Sequence, residues 1–247
     1  MNPHAAVPSA HTTGVDPDAD RHVLSARSLV YSYGSTPALR GVSVHVDAGE
    51  VLAITGPSGS GKSTLMLCLS GVLRPDAGEV RFADHIISNS SESERSRLRR
   101  SEFGILFQFG QLVPELMAAE NVALPLLLSG VKRKPAIAAA TNWLDRFGVA
   151  DQAASRPAEM SGGQAQRAAA ARAMVTEPKV LLADEPTGAL DALAGEQVMS
   201  QIVRVARESS ISVVIITHDA RVAAYGDREV GVRDGIIDSD PNDGIGS

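Results

Sequence analysis

The sequence predicts an α/β fold built on a mainly parallel sheet covered by helices. Three observations predict it. Short apolar runs at 51–55, 180–183 and 212–217 have the length and composition of strands buried on both faces. Stretches of helical periodicity lie between such runs, and that alternation builds parallel sheets. A glycine-rich run, residues 56–64, stands where the first of these strands hands over to a helix. With 247 residues the chain can close one large α/β core, and its 44% hydrophobic and 21% charged content is that of a globular domain.

Residues 1–21 read as a disordered polar tail. The first part has no Lys or Arg, no apolar segment of signal-peptide type, and a cluster of Asp16, Asp18 and Asp20. The folded domain is expected over 22–241, with a short tail at 242–247. Val42, Val44 and Val46 alternate with Ser43 and His45, which gives a half-buried strand before a turn at 47–49. After the strand at 51–55 and the glycine-rich run, Leu65, Leu69, Val72 and Leu73 share a helical face, with Gly71 and Pro75 marking its end.

Residues 90–100 form a polar helix that opens with Ser followed by Glu, and 104–108 form a short strand. Helices are expected at 120–128 and 134–147. In the second, Ile137, Thr141, Leu144 and Phe147 repeat at helical spacing, and Gly148 stops it. A strand at 180–183, a helix at 192–208 with Val198, Ile202 and Val205 on one side, and a strand at 212–217 return to alternation. Asp234-Gly235 between 229–232 and 236–237 signals a hairpin.

Composition excludes several functions. No apolar run approaches the ~18 residues of a membrane span. A net charge of −6 offers no positive field for a phosphate backbone, and 4% aromatics offer little stacking surface, so no nucleic-acid partner is expected. The single cysteine, Cys68, rules out an intramolecular disulfide framework and a Cys-based zinc site. It reads as a small core residue, and a reducing cytosol is the simplest setting. Arg95, Arg97, Arg99 and Arg100, like Lys132, Arg133 and Lys134, read as solvated helix faces. His4, His11, His22, His45 and His85 read as surface or tail residues.

The chemistry begins at Gly56-Pro57-Ser58-Gly59-Ser60-Gly61-Lys62-Ser63-Thr64, which fits the phosphate-binding pattern G-x-x-x-x-G-K-[ST] in the required strand–loop–helix setting. Glycines let backbone N–H groups close on a polyphosphate, and the helix start adds its positive end. Lys62 is placed to reach the β- and γ-phosphates of a nucleotide and Ser63 to bind Mg²⁺. The strand at 180–183 ends in Asp184 and Glu185, at the sheet edge where ligands of open α/β folds bind. Asp184 is assigned to Mg²⁺ and Glu185 to the attacking water, as general base.

Met160-Ser161-Gly162-Gly163-Gln164-Ala165-Gln166-Arg167 then resembles the signature of the ATP-binding cassette (ABC) ATPases. Gln108 within Phe107-Gln108-Phe109 resembles their Q-loop, 184–191 their Walker B motif running into the D-loop at Asp191, and Thr217-His218-Asp219 their H-loop. Tyr33 resembles the aromatic that stacks on adenine. The resemblance covers about residues 23–240. It implies a P-loop NTPase core with a mainly parallel sheet, an N-terminal antiparallel β subdomain, and a helical insert over about 109–165 that carries the signature.

It also implies catalytic roles for Glu185, His218 and Gln108, and Mg²⁺ ligation by Ser63, Gln108 and Asp184. Ser161, Gly162, Gly163 and Gln164 would face the ATP of a second chain in a head-to-tail homodimer. Ser161 reads independently as the cap of a helix starting near Gly163.

The run 107–128, with 183–188, resembles the bacterial lipoprotein-release, macrolide-export and peptide-antibiotic-resistance group, and the cell-division ABC ATPases. A separate transmembrane permease is then implied, with the chain peripheral on the cytoplasmic face of the plasma membrane and the segment 109–120 receiving the partner. Three departures stand out: Met160 for Leu, Ala165 for Gln, and Gly110 for a bulkier residue. Neither of the first two removes a phosphate ligand, and the third is expected to alter the groove that receives the partner. The alternative is a soluble ABC ATPase of translation or DNA-repair type. Such proteins usually carry two cassettes, a zinc insert or a coiled-coil insert, and this chain has none of these.

Overall fold

A computed structural model describes residues 22–108 and 111–238. The two expected tails, the end of the expected domain, and Phe109 and Gly110 lie outside the described residues.

Two sheets frame the molecule. The first is antiparallel, in the order β2-β1-β4-β5, from β1 (His22–Tyr33), β2 (Thr36–Asp47), β4 (Ala77–Phe82) and β5 (His85–Ile86). The second has the order β10-β9-β3-β8-β7-β6. Its strands β3 (Val51–Thr55), β6 (Phe103–Leu106), β7 (Val180–Asp184), β8 (Ser212–Thr217) and β9 (Arg228–Arg233) are parallel, and β10 (Ile236–Ile237) closes the edge antiparallel.

Alternation along each parallel strand divides the core. Val51, Leu181, Val213 and Ile215 point to one face. There they meet Trp143 and Phe147 at the end of α4 (Arg133–Arg146), and Val198 and Ile202 of α6 (Ala192–Glu208). Leu52, Ile54, Leu182, Val214 and Ile216 point to the other, against α1 (Lys62–Leu69) and the antiparallel sheet. All six residues of β8 are buried, so a strand covered on both faces reads as an unbroken apolar run.

Several expected elements need correction. Helix α1 ends at Leu69, and Gly71 at φ 66 turns the chain away. Val72 therefore lies outside the helix and is exposed, and Leu73 reaches the core from the following loop. Strand β6 stops at Leu106, two residues before Gln108. In α4 the buried stripe is Ala136, Ala140, Trp143 and Leu144; Thr141 is exposed and its hydroxyl donates to the Ile137 carbonyl.

Helix α2 (Glu92–Ser101) starts on a Ser91–Glu94 capping box. Its arginines are not all solvated, however. Arg95 and Arg99 both fold onto Glu92 at 2.6 Å, and Arg99 donates to the Gly71 carbonyl. Helix α3 (Ala118–Leu128) begins earlier than expected and runs through Pro125. Cys68 is buried, and burial pushes its thiol up to about 12, so it is an inert core residue. No described helix is long and apolar enough to cross a membrane.

Candidate active site

The phosphate loop leaves β3 and enters α1 through backbone that only glycine tolerates. Gly56 has φ 145, and a Cβ there would stand 2.0 Å from the Val232 carbonyl oxygen. Gly61, at φ 102, is the N-cap of α1, and its Cβ would meet the Ala38 carbonyl oxygen at 2.4 Å. The β9–β10 hairpin braces the loop from below: the Gly235 N–H donates to the Ser60 carbonyl at 2.9 Å, and the Arg40 N–H donates to the Gly235 carbonyl at 2.8 Å. Asp234-Gly235, expected only as a turn, is thus also a strut.

We expect Gly56→Ala to force loop and hairpin apart. A misplacement of about 1 Å is enough to lose about 100-fold in rate. ATPase assays alongside a thermal melt check this; an active variant with an unchanged melt would contradict the tight fit.

Lys62 is 7% exposed and bends back over the loop. Its Nζ donates to the Gly56 carbonyl at 2.7 Å and the Pro57 carbonyl at 2.8 Å. Burial lowers its pKa, while Glu185 and Asp184 pull the other way. The Ser60 hydroxyl is buried with no hydrogen-bond partner, a polar atom left over in a loop otherwise lined by backbone. Ser63 is exposed, and its hydroxyl lies close enough to the Asp184 carboxylate to favour its charged form. Burial is the main cause that raises Asp184; Glu185 adds to it, while Ser63 and Lys62 oppose it.

Glu185 follows β7 at φ 45, in the left-handed region that favours glycine. The strain is held by its neighbours: its N–H donates to the Ile216 carbonyl at 2.8 Å. Its Oε2 accepts from the Thr217 hydroxyl at 3.1 Å. Its Oε1 accepts from the His218 N–H at 3.1 Å and lies 2.5 Å from His218 Nδ1. The ends of β7 and β8 thereby bring the two expected residues together. Thr217, named in the H-loop run but given no role from the sequence, is the third member; its place between the apolar run and His218 was the available signal.

Gln108 rests on Gly188, where a Cβ would lie 2.7 Å from its Nε2, so the Q-loop amide packs against the segment that follows Glu185. Ser161 caps α5 (Gly162–Met174) in a capping box with Gln164, so the helix starts one residue earlier than expected. Gly162 and Gly163 face Leu190 and Ala194 of the same chain. Asp191 caps α6 by accepting from the Ala194 N–H at 2.9 Å. Tyr33 ends β1, half exposed, edge-on to Tyr31. Gln166, buried on the signature helix and assigned no role in the sequence, donates to the Phe107 carbonyl at 3.2 Å and ties that helix to the strand end before Gln108.

The oxygens at this edge suit a hard divalent cation. A carboxylate with a hydroxyl beside it, open to solvent on the Ser63 side, is a donor set that Mg²⁺ takes while keeping waters and phosphate oxygens.

Residues 39–188 match the protein family described as ABC transporter. The lipoprotein-releasing system ATP-binding protein LolD of Porphyromonas gingivalis is 39% identical over 88% of this chain and 100% of its own length. LolD 2 of Caulobacter vibrioides is 43% identical over 87% and 96%. The pyoverdine export ATP-binding/permease protein PvdT of Pseudomonas aeruginosa is 43% identical over 88% of this chain but only 34% of its own. Among solved structures, the ATP-binding cassette MJ0796, dimeric and bound to ADP and Pi, superposes with a TM-score of 0.80 at 33% identity, over 87% and 97% of the two chains. CbiO1 of Clostridium perfringens, part of the ABC transporter complex CbiONQ, superposes at 0.81 with 31% identity, over 89% and 88%.

Proposed function

This chain belongs to the ABC transporter family, and on that premise we propose how its residues divide the work. It is an ABC-type ATPase, the ATP-hydrolysing subunit of a membrane transporter, working as a cassette dimer with a membrane permease. The observation that carries the assignment of roles is the meeting of Lys62, the Ser63–Asp184 pair and the Glu185–His218 pair around one sheet edge.

Lys62 and the loop N–H groups hold the β- and γ-phosphates. Tyr33, exposed at the end of β1, stacks on the adenine. Ser63, Asp184 and Gln108 would hold Mg²⁺, which would supply neutralising charge to the phosphate oxygens. In the structure both Glu185 oxygens are engaged, one by His218 and one by Thr217. When His218 turns to the γ-phosphate, Oε1 is freed. Glu185 then takes a proton from water as the water oxygen attacks the γ-phosphorus, the bond to the bridging oxygen breaks, and ADP leaves with that electron pair. The capped start of α5, at Ser161–Gln164, presents its N–H groups to the ATP of the partner cassette, and Asp191 stands at the same interface.

The machine is of the lipoprotein-releasing kind. That reading is supported by relatives of that name matched over nearly their whole length. The chain sits at the cytoplasmic membrane face, where ATP is present. Gentle extraction of a tagged chain from its native membranes tests the reading: a stoichiometric multi-span permease is expected. A soluble complex with ribosomes or DNA would favour the alternative. ATP-driven release of a lipoprotein from vesicles containing the complex checks the cargo.

A further inference from the structure

We propose that His22, His45 and Asp47 form a binding site for a divalent transition-metal ion of the zinc, nickel or copper class, separate from the nucleotide site. The sequence placed both histidines among surface residues, but the structure half-buries them together. Strand pairing sets His22 of β1 directly opposite Asp47 of β2, and His45, two residues back along β2, lies on the same face. One end of the hairpin ladder therefore presents two imidazoles and a carboxylate side by side. One ligand atom from each lies within 4.8 Å of the others, and among the described residues no other trio of His, Cys, Asp or Glu converges in this way.

The details suit an ion. His22 Nδ1 is 2.5 Å from Asp47 Oδ1, a position that a metal can take over from the shared proton. The two imidazole rings stack with centroids 4.0 Å apart. Tetrahedral ligands at zinc bond lengths of about 2.0 Å stand roughly 3.3 Å apart, so a small turn of the rings brings their lone pairs to one point. The His22 side chain is 16% exposed and that of Asp47 43%, which leaves an open side for the ion to enter and for water to complete its coordination.

His45 is half-buried, with Arg228, Asp47 and Glu50 as its charged neighbours. The positive charge of Arg228 behind the site is offset by Glu50 at 2.8 Å, while its Nη2 fixes the His45 carbonyl at 2.6 Å. Two imidazoles and one carboxylate select borderline transition ions over Mg²⁺ or Ca²⁺, which prefer all-oxygen sets. Binding ties the start of β1 to the end of β2.

The test uses the full chain without nucleotide, with Mg²⁺ in large excess to occupy the oxygen ligands of the nucleotide site. Zn²⁺ affinity is measured by competition with a chromophoric chelator, and Co²⁺ by its visible absorption. One ion per chain is expected. The double variant His22→Ala/His45→Ala should weaken binding by more than the roughly 10- to 100-fold that loss of an outer-shell partner costs. Zn²⁺ should raise the Tm of the parent chain and not of the double variant. His4→Ala/His11→Ala, which alters only the tail histidines, should leave affinity unchanged. If the double variant does not fold, Asp47→Asn decides by affinity alone, with a loss of about tenfold or more expected. No saturable Zn²⁺ binding, or affinity that follows the tail histidines, overturns the proposal.

Discussion

Glu185→Gln is expected to bind ATP and fail to hydrolyse it, lowering turnover by about 10²- to 10⁴-fold, the range that a positioned general base supplies. The substitution is nearly isosteric. A glutamine oxygen still accepts from the His218 N–H, and its amide can donate to the Thr217 hydroxyl, so the strained φ of 45 keeps its supports. What disappears is the capacity to take a proton from water. ATP then holds two chains together without being consumed, and a closed dimer accumulates. Phosphate release in the steady state, paired with gel filtration in ATP, reads both consequences. Turnover at the parent rate would show that another group acts as the base.

Lys62→Ala is expected to abolish turnover and to weaken ATP binding by about 10- to 100-fold, the equivalent of one hydrogen bond to a charged group at about 1.5–3 kcal/mol. Two losses coincide in it. The nearly buried ammonium is the one positive side chain held inside the loop, and its bonds to the Gly56 and Pro57 carbonyls also fix the loop's shape before any ligand arrives. Circular dichroism should be unchanged, because α1 begins at this residue with its other turns buried. Equilibrium binding of a fluorescent ATP analogue separates the affinity loss from the rate loss. Full affinity in the variant would contradict the phosphate role.

Much of this site was legible because its groups are sequence neighbours. Gly56 to Thr64 and Asp184-Glu185 declare themselves by spacing alone, and the buried parallel strands declare themselves by unbroken apolar runs such as 213–216. What could not be read came from distant partners. β1 has several irregularities in its pairing with β2, so its hydrophobic residues lose the period-two signal. Thr217 acts through a hydroxyl whose partner lies 32 residues away. The supports under the loop, the Val232 carbonyl and the Gly235 N–H, are backbone atoms, and backbone atoms leave no trace in residue identity. Thr141 and Val72 fitted a helical spacing on paper, but one turned to solvent and the other lay past a glycine that ended its helix.

The brace beneath the phosphate loop also sets an order of assembly during synthesis. Strand β3, which delivers the loop, pairs with β8 and β9, and both leave the ribosome after the whole middle of the chain. The contact from Gly235 to Ser60 joins residues 175 apart in sequence (235 minus 60). A nascent chain that has emerged as far as α6 already displays every residue of the phosphate-binding run, yet lacks the neighbours of its strand and the Val232 carbonyl beneath Gly56. Such long-range pairing forms late. Nucleotide binding is therefore expected only once the C-terminal hairpin has been made, and a chain cut before β8 is expected not to retain ATP on equilibrium dialysis.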